Sequence, residues 1–364
     1  MATEQTVHQG AYENHDGSRR NILKDFKATH KSRNWELRDI AGHIVEFSSD
    51  QDGCRLVVKI LISASSDDQQ RVFDEIIPNV LQLIQDEAGS YVSGLYLFGP
   101  KLKKTRLAGE MNGHILTLSK QKFGCTVVQK AIEHILPDQK AAIVRELEPN
   151  IIECIYHSNG NYVIQTIIKV VPPAKLGFVY SFREIVYSMA THMFGSRVLQ
   201  LALDSLPNVM IAPLAAELHS MAVILMKDEF GKYLMQYLIK KGRPYDRTLL
   251  LNTLRGQLLQ MAQDKYASDV CETALEFSDA ETRRQLINVI ISSRPNGVVV
   301  RQMIKHRFAN YVLHSALKFA DVNQRDILIF QIRHHLVSIE LDTSNPWQRA
   351  ACDRRKQTAS LFQL

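Results

Sequence analysis

Hydrogen-bonding side chains recur along the chain in pairs whose members lie four residues apart. The pairs are Cys125/Gln129, Asn161/Gln165, Ser196/Gln200, Lys232/Gln236, Ser268/Glu272 and Asn310/His314. Amides both donate and accept hydrogen bonds, an ionised carboxylate only accepts, and an ammonium only donates. Side chains of such varied chemistry at one fixed spacing suit the recognition of planar polar molecules, such as nucleobases, by their edges.

A residue with a flat side chain most often follows the first member of a pair. Over eight occurrences this residue is Arg55, Tyr91, Thr126, Tyr162, Arg197, Tyr233, Asp269 and Tyr311. Tyrosine and arginine planes stack on nucleobases at about 1–3 kcal/mol per base. Such residues can instead pack between helices, and amides can form side-chain ladders. Six flat side chains beside hydrogen-bonding positions of varying chemistry favour base stacking over packing alone.

These residues belong to a hexad that recurs eight times. A small residue at position 0 precedes a hydrogen-bonding position 1, the flat position 2, apolar positions 3 and 4, and position 5. Position 0 is Gly53, Gly89, Gly124, Gly160, Gly195, Gly231, Ala267 and Ala309, at steps of 36, 35, 36, 35, 36, 36 and 42 residues. A period near 36 residues is typical of solenoids, whose units bury their apolar faces against each other. The pattern therefore predicts eight stacked repeats.

Helical geometry places the polar positions of the hexad on one face. At 100° per residue, positions 1, 2 and 5 lie at about 0°, 100° and 40° around the axis. Positions 3 and 4 lie at about 200° and 300°, and together with position 7, which is Ala131 in the third repeat, they form a buried stripe. We therefore expect one reading helix per repeat, with positions 1, 2 and 5 as its reading face.

Each repeat is predicted to contain three helices and no strand. In the third repeat the helices cover residues 115–120, 125–135 and about 138–147. The chain supplies helix breaks between the second and third helices at Pro137, Pro172-Pro173, Pro207 and Gly242-Arg243-Pro244. Ser278-Asp279-Ala280-Glu281 predicts a capping box, and a loop at residues 292–297 accounts for the 42-residue step.

The repeats define the domain boundaries. Residues 1–20 are polar without apolar periodicity, so a disordered N-terminal arm is expected. A helical pattern begins at Asn21 and continues through the run Leu37–Phe47. The repeats therefore occupy residues 21–333, and residues 334–364 are expected to form a degenerate C-terminal cap or tail.

Composition excludes several classes of function. The net charge is +6, the apolar fraction is 45%, and no apolar stretch is long enough to span a membrane. Five scattered cysteines without a C-x-x-C pair argue against a disulfide framework or a structural metal, and they fit a reducing, cytoplasmic compartment. Phosphate-binding loops, nucleophile elbows and H-E-x-x-H helices are missing from the sequence. We expect a monomer that is not an enzyme and has no cofactor.

At its hexads the chain resembles the Pumilio and FBF family of RNA-binding proteins, the PUF proteins. The resemblance covers residues 21–333 and also rests on residues 37–48, Gly242-Arg243-Pro244 and residues 308–312. It implies an all-α fold, a right-handed α-solenoid crescent of eight three-helix repeats. It also implies single-stranded RNA bound antiparallel on the concave wall, one base per repeat. Deadenylase or translational-repression proteins are the partners that the resemblance implies.

The chemistry of positions 1 and 5 indicates a base for several repeats. Glu272 with Ser268 suits guanine, because guanine offers two edge donors. The amides of Asn161 and Gln165 suit uracil, and one glutamine beside a small neighbour, as in Cys125/Gln129 and Ser196/Gln200, suits adenine. Read from the eighth repeat backwards, the chain predicts U, G, U, A, U, A and two poorly defined bases. This order resembles UGUA-containing elements in 3′ untranslated regions.

Some repeats depart from the family pattern. Cys54 and Ser90 occupy position 1 of the first two repeats, but position 5 is Val58 or Gly94, which cannot hydrogen-bond a base edge. Lys232 can only donate, so the third base is expected to be read loosely. The anion of Asp269 could repel phosphate or accept a hydrogen bond from a neighbour.

Basic residues outside the hexads form two clusters. Lys101, Lys103, Lys104 and Arg106 are expected to form a solvated helix face, whereas Arg301, Lys305 and Arg307 lead into the last reading helix. For this second cluster, phosphate contact and solvation are equally weighted.

Two other functions fit a solenoid. A protein-binding scaffold would tolerate interchangeable residues at positions 1 and 5, which are instead paired by chemistry. A nucleolar PUF-like protein of low sequence specificity is disfavoured by the intact pairs in repeats 3, 4, 5 and 7.

Overall fold

The computed structural model describes residues 22–95, 100–292 and 298–340, and these residues form helices without strands. The chain divides into two compact units, Met1–Met111 and Asn112–Leu364. The helices of the first unit are α1 (Ile22–Thr29), α2 (Leu37–Ile40), α3 (Ile44–Ser48), α4 (Gln51–Ser63), α5 (Ser66–Ile76), α6 (Val80–Gln85), α7 (Glu87–Leu95) and α8 (Lys101–Met111).

The second unit contains the remaining repeats. Its α-helices are α9 (Ile115–Lys120), α10 (Gly124–His134), α11 (Pro137–Leu147), α12 (Ile151–Tyr156), α13 (Gly160–Val170), α14 (Val186–Ala190), α15 (Gly195–Ser205), α16 (Asn208–Ser220), α17 (Ala222–Met226), α18 (Gly231–Lys241), α19 (Pro244–Ala262), α20 (Ala267–Phe277), α21 (Ala280–Ser292), α22 (Val298–Lys305), α23 (Ala309–Phe319) and α24 (Val322–Glu340). Short 3₁₀ helices cover Ile77–Asn79 in the first unit and Glu148–Asn150, Pro173–Lys175 and Gly177–Ile185 in the second.

The predicted all-α repeat fold is confirmed. A first helix precedes each reading helix, and helical structure follows it. This first helix is short in seven repeats and is the end of the long α19 in the seventh. The reading helices are α4 and α7 in the first unit and α10, α13, α15, α18, α20 and α23 in the second. Those of the second unit pack side by side in chain order. The residues at positions 3, 4 and 7 of α10 are 0–1% exposed, so the apolar stripe forms the core as predicted.

In the six repeats that have glycine at position 0, close packing inside the repeat leaves no room for a Cβ atom. A Cβ atom on Gly53 would lie 2.5 Å from the carbonyl oxygen of Phe47, and one on Gly195 would lie 2.8 Å from that of Met189. Both carbonyls belong to the first helix of the same repeat. The reading helix therefore starts against the backbone of the first helix, which fixes where its face points.

A glutamate of the third helix secures the start of the first helix in both units. Glu75 accepts hydrogen bonds from the amides of Gly42 (2.9 Å) and Ile44 (2.6 Å). In the second unit, the carboxylate of Glu146 accepts from the amides of two residues at the equivalent places, Gly113 and Ile115. Gly42 and Gly113 have φ near +80°, a conformation that favours glycine. The run Leu37–Phe47 is consequently broken into α2 and α3.

The structure differs from the predicted helices in three details. The third segment of the fourth repeat is a 3₁₀ helix, Gly177–Ile185. In contrast, α19 runs without a break from the third helix of the sixth repeat into the first helix of the seventh. The capping box at Ser278 is absent, because Asp279 caps α21 by accepting from the amide of Thr282 at 2.8 Å. The buried hydroxyl of Ser278 has no hydrogen-bond partner.

Some expectations concern the ends and the loops. The N-terminal arm, residues 1–20, lies outside the described residues, as do residues 293–297 of the predicted loop and residues 341–364. The helix α24 continues to Glu340, so the expected boundary at residue 333 falls inside a helix.

The first basic cluster is not a uniformly solvated face. Lys103 is buried, with its Nζ 5.7 Å from the centre of the Phe73 ring. Arg106 donates a hydrogen bond to Asp74 at 3.0 Å. These two cations therefore pack α8 against α5 within the first unit.

Candidate nucleic-acid interface

The flat residues at position 2 are accessible to a ligand. Tyr91, Tyr162, Tyr233 and Tyr311 are 45–65% exposed, although large aromatic side chains are usually buried. Arg55, Thr126 and Arg197 are exposed at the equivalent position, and Asp269 is half-buried. In the reading helices of the second unit the apolar residues at positions 3 and 4 are 0–1% exposed, so position 2 must face away from the core. The stacking role itself stays a prediction.

Position 1 is more enclosed than the helical angles indicated. Cys54, Cys125, Asn161, Ser196 and Ser268 are buried, whereas Ser90, Lys232 and Asn310 are half-buried. Position 1 directly follows the small residue, where the reading helix is pressed against the first helix. Contact with RNA at these residues stays a prediction.

Most enclosed position-1 side chains are already hydrogen-bonded to backbone. The Cys125 thiol and the Ser268 hydroxyl each donate at 3.3 Å to the carbonyl three residues earlier. Asn161 donates at 2.8 Å to the carbonyls of both His157 and Ser158. Burial also raises the pKa of the Cys125 thiol, which keeps it protonated. A base that accepts a hydrogen bond from the amide nitrogen of Asn161 must therefore replace one of these two bonds.

Position 5 offers its polar tip at the surface. Gln129, Gln165, Gln200, Gln236, Glu272 and His314 are all half-buried. In the fourth repeat the two predicted readers meet, because Gln165 Nε2 donates to Asn161 Oδ1 at 2.9 Å. This bond leaves Gln165 Oε1 as an acceptor, which suits the N3–H of uracil.

A groove of about 540 Å³ joins readers from three neighbouring repeats. Its walls include the arginine plane of α15 and the tyrosine plane of α18. The position-5 glutamines of α13, α15 and α18 complete them. The lining residues that bear on base recognition are Gln165, Arg197, Gln200, Tyr233, Gln236 and Tyr237. Flat side chains and amide tips therefore lie beside one open space, as base stacking and edge recognition both require.

Sequence reasoning missed a set of contacts at position 6, the residue directly after position 5. Thr166, Thr273 and Ser315 occupy this position in the fourth, seventh and eighth repeats and are buried. Their hydroxyls contact Gln129 (3.4 Å), Gln236 (3.1 Å) and Glu272 (2.9 Å), the readers of the preceding repeats. The available signal was a hydroxyl that recurs beside position 5 and cannot belong to the apolar stripe.

Lys232 and Asp269, two departures from the family pattern, contact each other. Lys232 Nζ lies 2.5 Å from Asp269 Oδ2 and 5.1 Å and 5.3 Å from the ring centres of Tyr233 and Tyr266. Asp269 therefore accepts from a neighbour, one of the two roles left open by its sequence. The pair joins position 1 of the sixth repeat to position 2 of the seventh.

Glu272 lies in a mixed electrostatic environment. Burial raises the pKa of its carboxyl above the usual range, and the hydrogen bond from Ser315 opposes that rise. Asp269 and Glu276 raise the pKa further, whereas His314 lowers it. The carboxylate can accept from two guanine donors only when it is ionised. Recognition through Glu272 is therefore expected to weaken as the pH falls.

The second basic cluster is exposed. Arg301 and Lys305 lie at the surface of α22, and Arg307 lies 4.3 Å from the centre of the Phe308 ring. Phosphate contact by these residues stays a prediction. Among the described residues, His, Cys, Asp and Glu form no group that could hold a metal ion. Across that same part of the chain, every helix is too short or too polar to cross a bilayer.

Curated relatives of the chain are Pumilio homologues. Putative pumilio homolog 7, chloroplastic, of Arabidopsis thaliana is 28% identical over 260 residues, which cover 70% of this chain and 40% of that protein. Pumilio homolog 1 of Xenopus laevis is 36% identical over 183 residues, which cover 49% of this chain and 15% of that protein. The chain thus spans less than half the length of either relative.

Solved structures of high similarity are PUF domains with RNA. The Puf3 RNA binding domain bound to the Cox17 RNA 3′ UTR recognition sequence, site A, is 28% identical with a TM-score of 0.79, covering 86% of this chain and 96% of that one. PUF-8 in complex with PBE-RNA is 25% identical with a TM-score of 0.84, covering 94% of this chain and 99% of that one.

Six segments match the profile of the Pumilio-family RNA binding repeat. They are residues 43–77, 114–148, 150–176, 186–219, 257–291 and 300–333. These segments are the first, third, fourth, fifth, seventh and eighth repeats, and the two remaining repeats have the same order of helices. The matches extend over more than half of the chain. The chain therefore belongs to the Pumilio family of RNA-binding repeat proteins, as the resemblance of its hexads predicted.

Proposed function

We propose that this chain binds single-stranded RNA sequence-specifically and reads one base with each intact reading helix. The observation that carries the proposal is the groove in which Arg197 and Tyr233 planes lie beside the Gln165, Gln200 and Gln236 amides. Puf3 and PUF-8 were solved with RNA bound, which supports the same ligand for this chain. Stacking on position 2 would hold each base while position 5 tests its edge.

The preferred RNA contains UGUA at its 5′ end. His314 and Asn310 would meet the first base, Glu272 the guanine, and Gln236 the third base. Gln200 and Gln165 would then read A and U, and Gln129 would read A. Val58 and Gly94 cannot form hydrogen bonds through their side chains, so the last two bases would be held with little selectivity.

The proposed cellular role requires RNA binding but no catalysis. We propose that the protein binds 3′ untranslated regions of messenger RNA and acts as a post-transcriptional regulator, not as an enzyme. Repression or decay would depend on recruited partners such as a deadenylase complex. The free thiols of Cys54, Cys125, Cys154 and Cys271 fit a cytoplasmic location, since that compartment is reducing. The RNA complex would contain one copy of the chain.

The assignment of Glu272 to guanine gives a direct test. The wild-type protein should bind an oligonucleotide that begins UGUAUA more tightly than one with A at the second base. Glu272→Gln should reduce this discrimination by about 1–3 kcal/mol, the usual range for a base-specific contact pair. Fluorescence anisotropy at fixed salt measures both affinities.

Glu276→Gln is the matched control, because it removes the same charge from the same helix. Glu276 is exposed one turn beyond Glu272 and should leave the preference for guanine unchanged. Equal affinity of the wild-type protein for both oligonucleotides would contradict the assignment. An affinity that does not change with salt concentration would favour the protein-scaffold alternative. The affinity for single-stranded RNA should instead fall with salt at a log–log slope of about −0.7 per phosphate contact.

A further inference from the structure

The buried hydroxyls at position 6 occupy places where they can control the readers. Thr166, Thr273 and Ser315 are 5–8% exposed and project from one reading helix toward the position-5 side chain of the preceding one. A reader that contacts such a hydroxyl loses rotational freedom. It also loses one of its hydrogen-bonding atoms to the protein, so the atom left for RNA is determined.

Thr273 imposes one orientation on Gln236. The Thr273 hydroxyl donates to the carbonyl of Asp269 at 2.9 Å, so toward Gln236 it can only accept. The carbonyl of Asp269 is also only an acceptor. Gln236 Nε2 lies 3.1 Å from both atoms, so both of its hydrogens are used. Only Gln236 Oε1 remains for a ligand, and the reader of the sixth repeat is therefore a pure acceptor.

Ser315 acts on a carboxylate instead of an amide. Its hydroxyl donates to Glu272 Oε2 at 2.9 Å, which favours the ionised form and leaves Oε1 open. The other titratable groups around Glu272 are Asp269 and Glu276 on α20 and His314 on α23. Lys232 of α18 is paired with Asp269. Ser315 is thus the neutral donor that offsets burial of this carboxylate.

The remaining glutamines differ in how firmly they are held. Thr166 donates to the carbonyl of Tyr162 at 3.0 Å and lies at a longer 3.4 Å from Gln129 Oε1. Position 6 of the fifth repeat is Leu201, which has no hydroxyl to offer Gln165. Position 6 of the sixth repeat is Tyr237, whose hydroxyl donates to Asp204 at 2.7 Å and not to Gln200, the reader of the preceding repeat. Orientation by a position-6 hydroxyl is consequently strongest for Gln236 and Glu272.

We propose that Thr273 and Ser315 are specificity-determining positioning residues, which fix the hydrogen-bonding atom that Gln236 and Glu272 present to RNA. The inference rests on the proposed function and adds to it a residue that touches no base. A fixed acceptor at Gln236 favours uracil, whose N3–H donates, over cytosine, whose N3 accepts. Without Thr273 only the carbonyl of Asp269 would hold the amide, so turning it over to donate to cytosine would break one hydrogen bond instead of two. Thr273 therefore strengthens the choice between the two pyrimidines at the third base.

Substitution at Thr273 tests this choice. Thr273→Val keeps the shape of the side chain but removes the hydroxyl, and should lower the preference for U over C at the third base about fivefold or more. Thr273→Ser should restore the wild-type preference. Thr253→Val is the matched control, because Thr253 makes the same bond to the carbonyl four residues earlier, at 3.0 Å, without contacting a reader. Anisotropy titrations with the two oligonucleotides give the ratio, and thermal unfolding verifies that each variant is folded.

Ser315 gives a second measurement that does not require RNA. The pKa of Glu272 can be followed by carboxyl ¹³C NMR in the free protein. Ser315→Ala should raise this pKa, whereas Ser315→Thr should leave it near the wild-type value. With RNA present, the preference for G over A should then disappear at a higher pH in Ser315→Ala than in the wild-type protein.

The possible outcomes separate the two proposals. If the wild-type protein has equal affinity for all four bases at the second and third positions of the RNA, the proposed function and this inference are both overturned. A wild-type preference that survives in both Thr273→Val and Ser315→Ala, with an unchanged Glu272 pKa, overturns the inference alone. An equal loss of affinity for every oligonucleotide in Thr273→Val also overturns it, since that result indicates a purely structural role for the hydroxyl.

Discussion

The two units build their reading helices in the same way but equip them differently. Gly53 in the first unit and Gly195 in the second both bring the reading helix against the backbone of the first helix. At position 5, however, the first unit has Val58 and Gly94, whereas every repeat of the second unit has an amide, carboxylate or imidazole. Packing and base recognition therefore depend on different positions of one hexad, and each can change without the other.

The largest expected effect tests the shared packing. Gly53→Ala and Gly195→Ala should each destabilise their own unit by about 1–3 kcal/mol, because the new Cβ meets a backbone carbonyl at 2.5 Å or 2.8 Å. Urea unfolding followed by circular dichroism measures the change. If position 0 packs in the same way in both units, both variants lose stability.

Each unit offers its own control for the glycine substitutions. At Gly109 in α8 and Gly256 in α19, a Cβ atom would meet no neighbouring atom within 4 Å, so alanine fits there. Gly109→Ala and Gly256→Ala should stabilise the protein by about 0.5–1 kcal/mol, since alanine is the better helix former. A loss of stability in these controls would show that helix packing at position 0 is not the cause.

A smaller effect is expected from exchanging position 5 between the units. Gln165→Val gives the fourth repeat the side chain found in the first, and should lower the preference for U at the fifth base by about 1 kcal/mol. Val58→Gln should add a weaker preference at the eighth base, because position 1 of the first repeat is Cys54 and not an asparagine like Asn161, which accepts from Gln165 at 2.9 Å. Binding to oligonucleotides that vary only at these two bases measures both changes.

Val58→Leu is the control for the second exchange, because it alters size without adding a hydrogen-bonding group. It should leave the eighth base unselected. If Gln165→Val keeps its preference while overall affinity falls, the amide contributes to binding but not to base choice. That result would remove the distinction drawn between the two units.

The sequence predicted the features that lie within one repeat. The 36-residue period indicated a solenoid because the apolar stripe of one repeat can be buried only by its neighbours. Helical angles correctly placed position 2 outside and positions 3 and 4 inside, as Tyr162 and Val163 illustrate. They placed position 1 less well, because the angles ignore the first helix, which covers Asn161 and its equivalents.

Features that depend on how neighbouring repeats align were not predictable. The contacts Thr273–Gln236 and Lys232–Asp269 join residues 37 positions apart, and their formation depends on side-chain directions across two helices. Choosing Ser278 over Asp279 as the cap failed for a different, local reason. Both residues are good caps, so a shift of one residue in the start of α21 decides between them.

The smallest expected effect concerns the charged pairs at position 2, which occur in both units. Arg55 of the first unit is paired with Asp52 at 3.1 Å, and Asp269 of the second with Lys232. Asp52→Asn and Asp269→Asn each free a cation, so both should tighten RNA binding by up to about 1 kcal/mol at low salt.

Salt dependence distinguishes this effect from a change of structure. A freed Lys232 that contacts phosphate should steepen the log–log salt slope by about 0.7, and the gain in affinity should fade as salt rises. Because Asp269 itself lies beside the predicted path of the RNA, Asp269→Asn should exceed Asp52→Asn, which acts where base selection is weak. Equal gains in both variants would instead mean that the RNA backbone lies equally near Arg55 and Lys232. The difference between the units would then be confined to position 5.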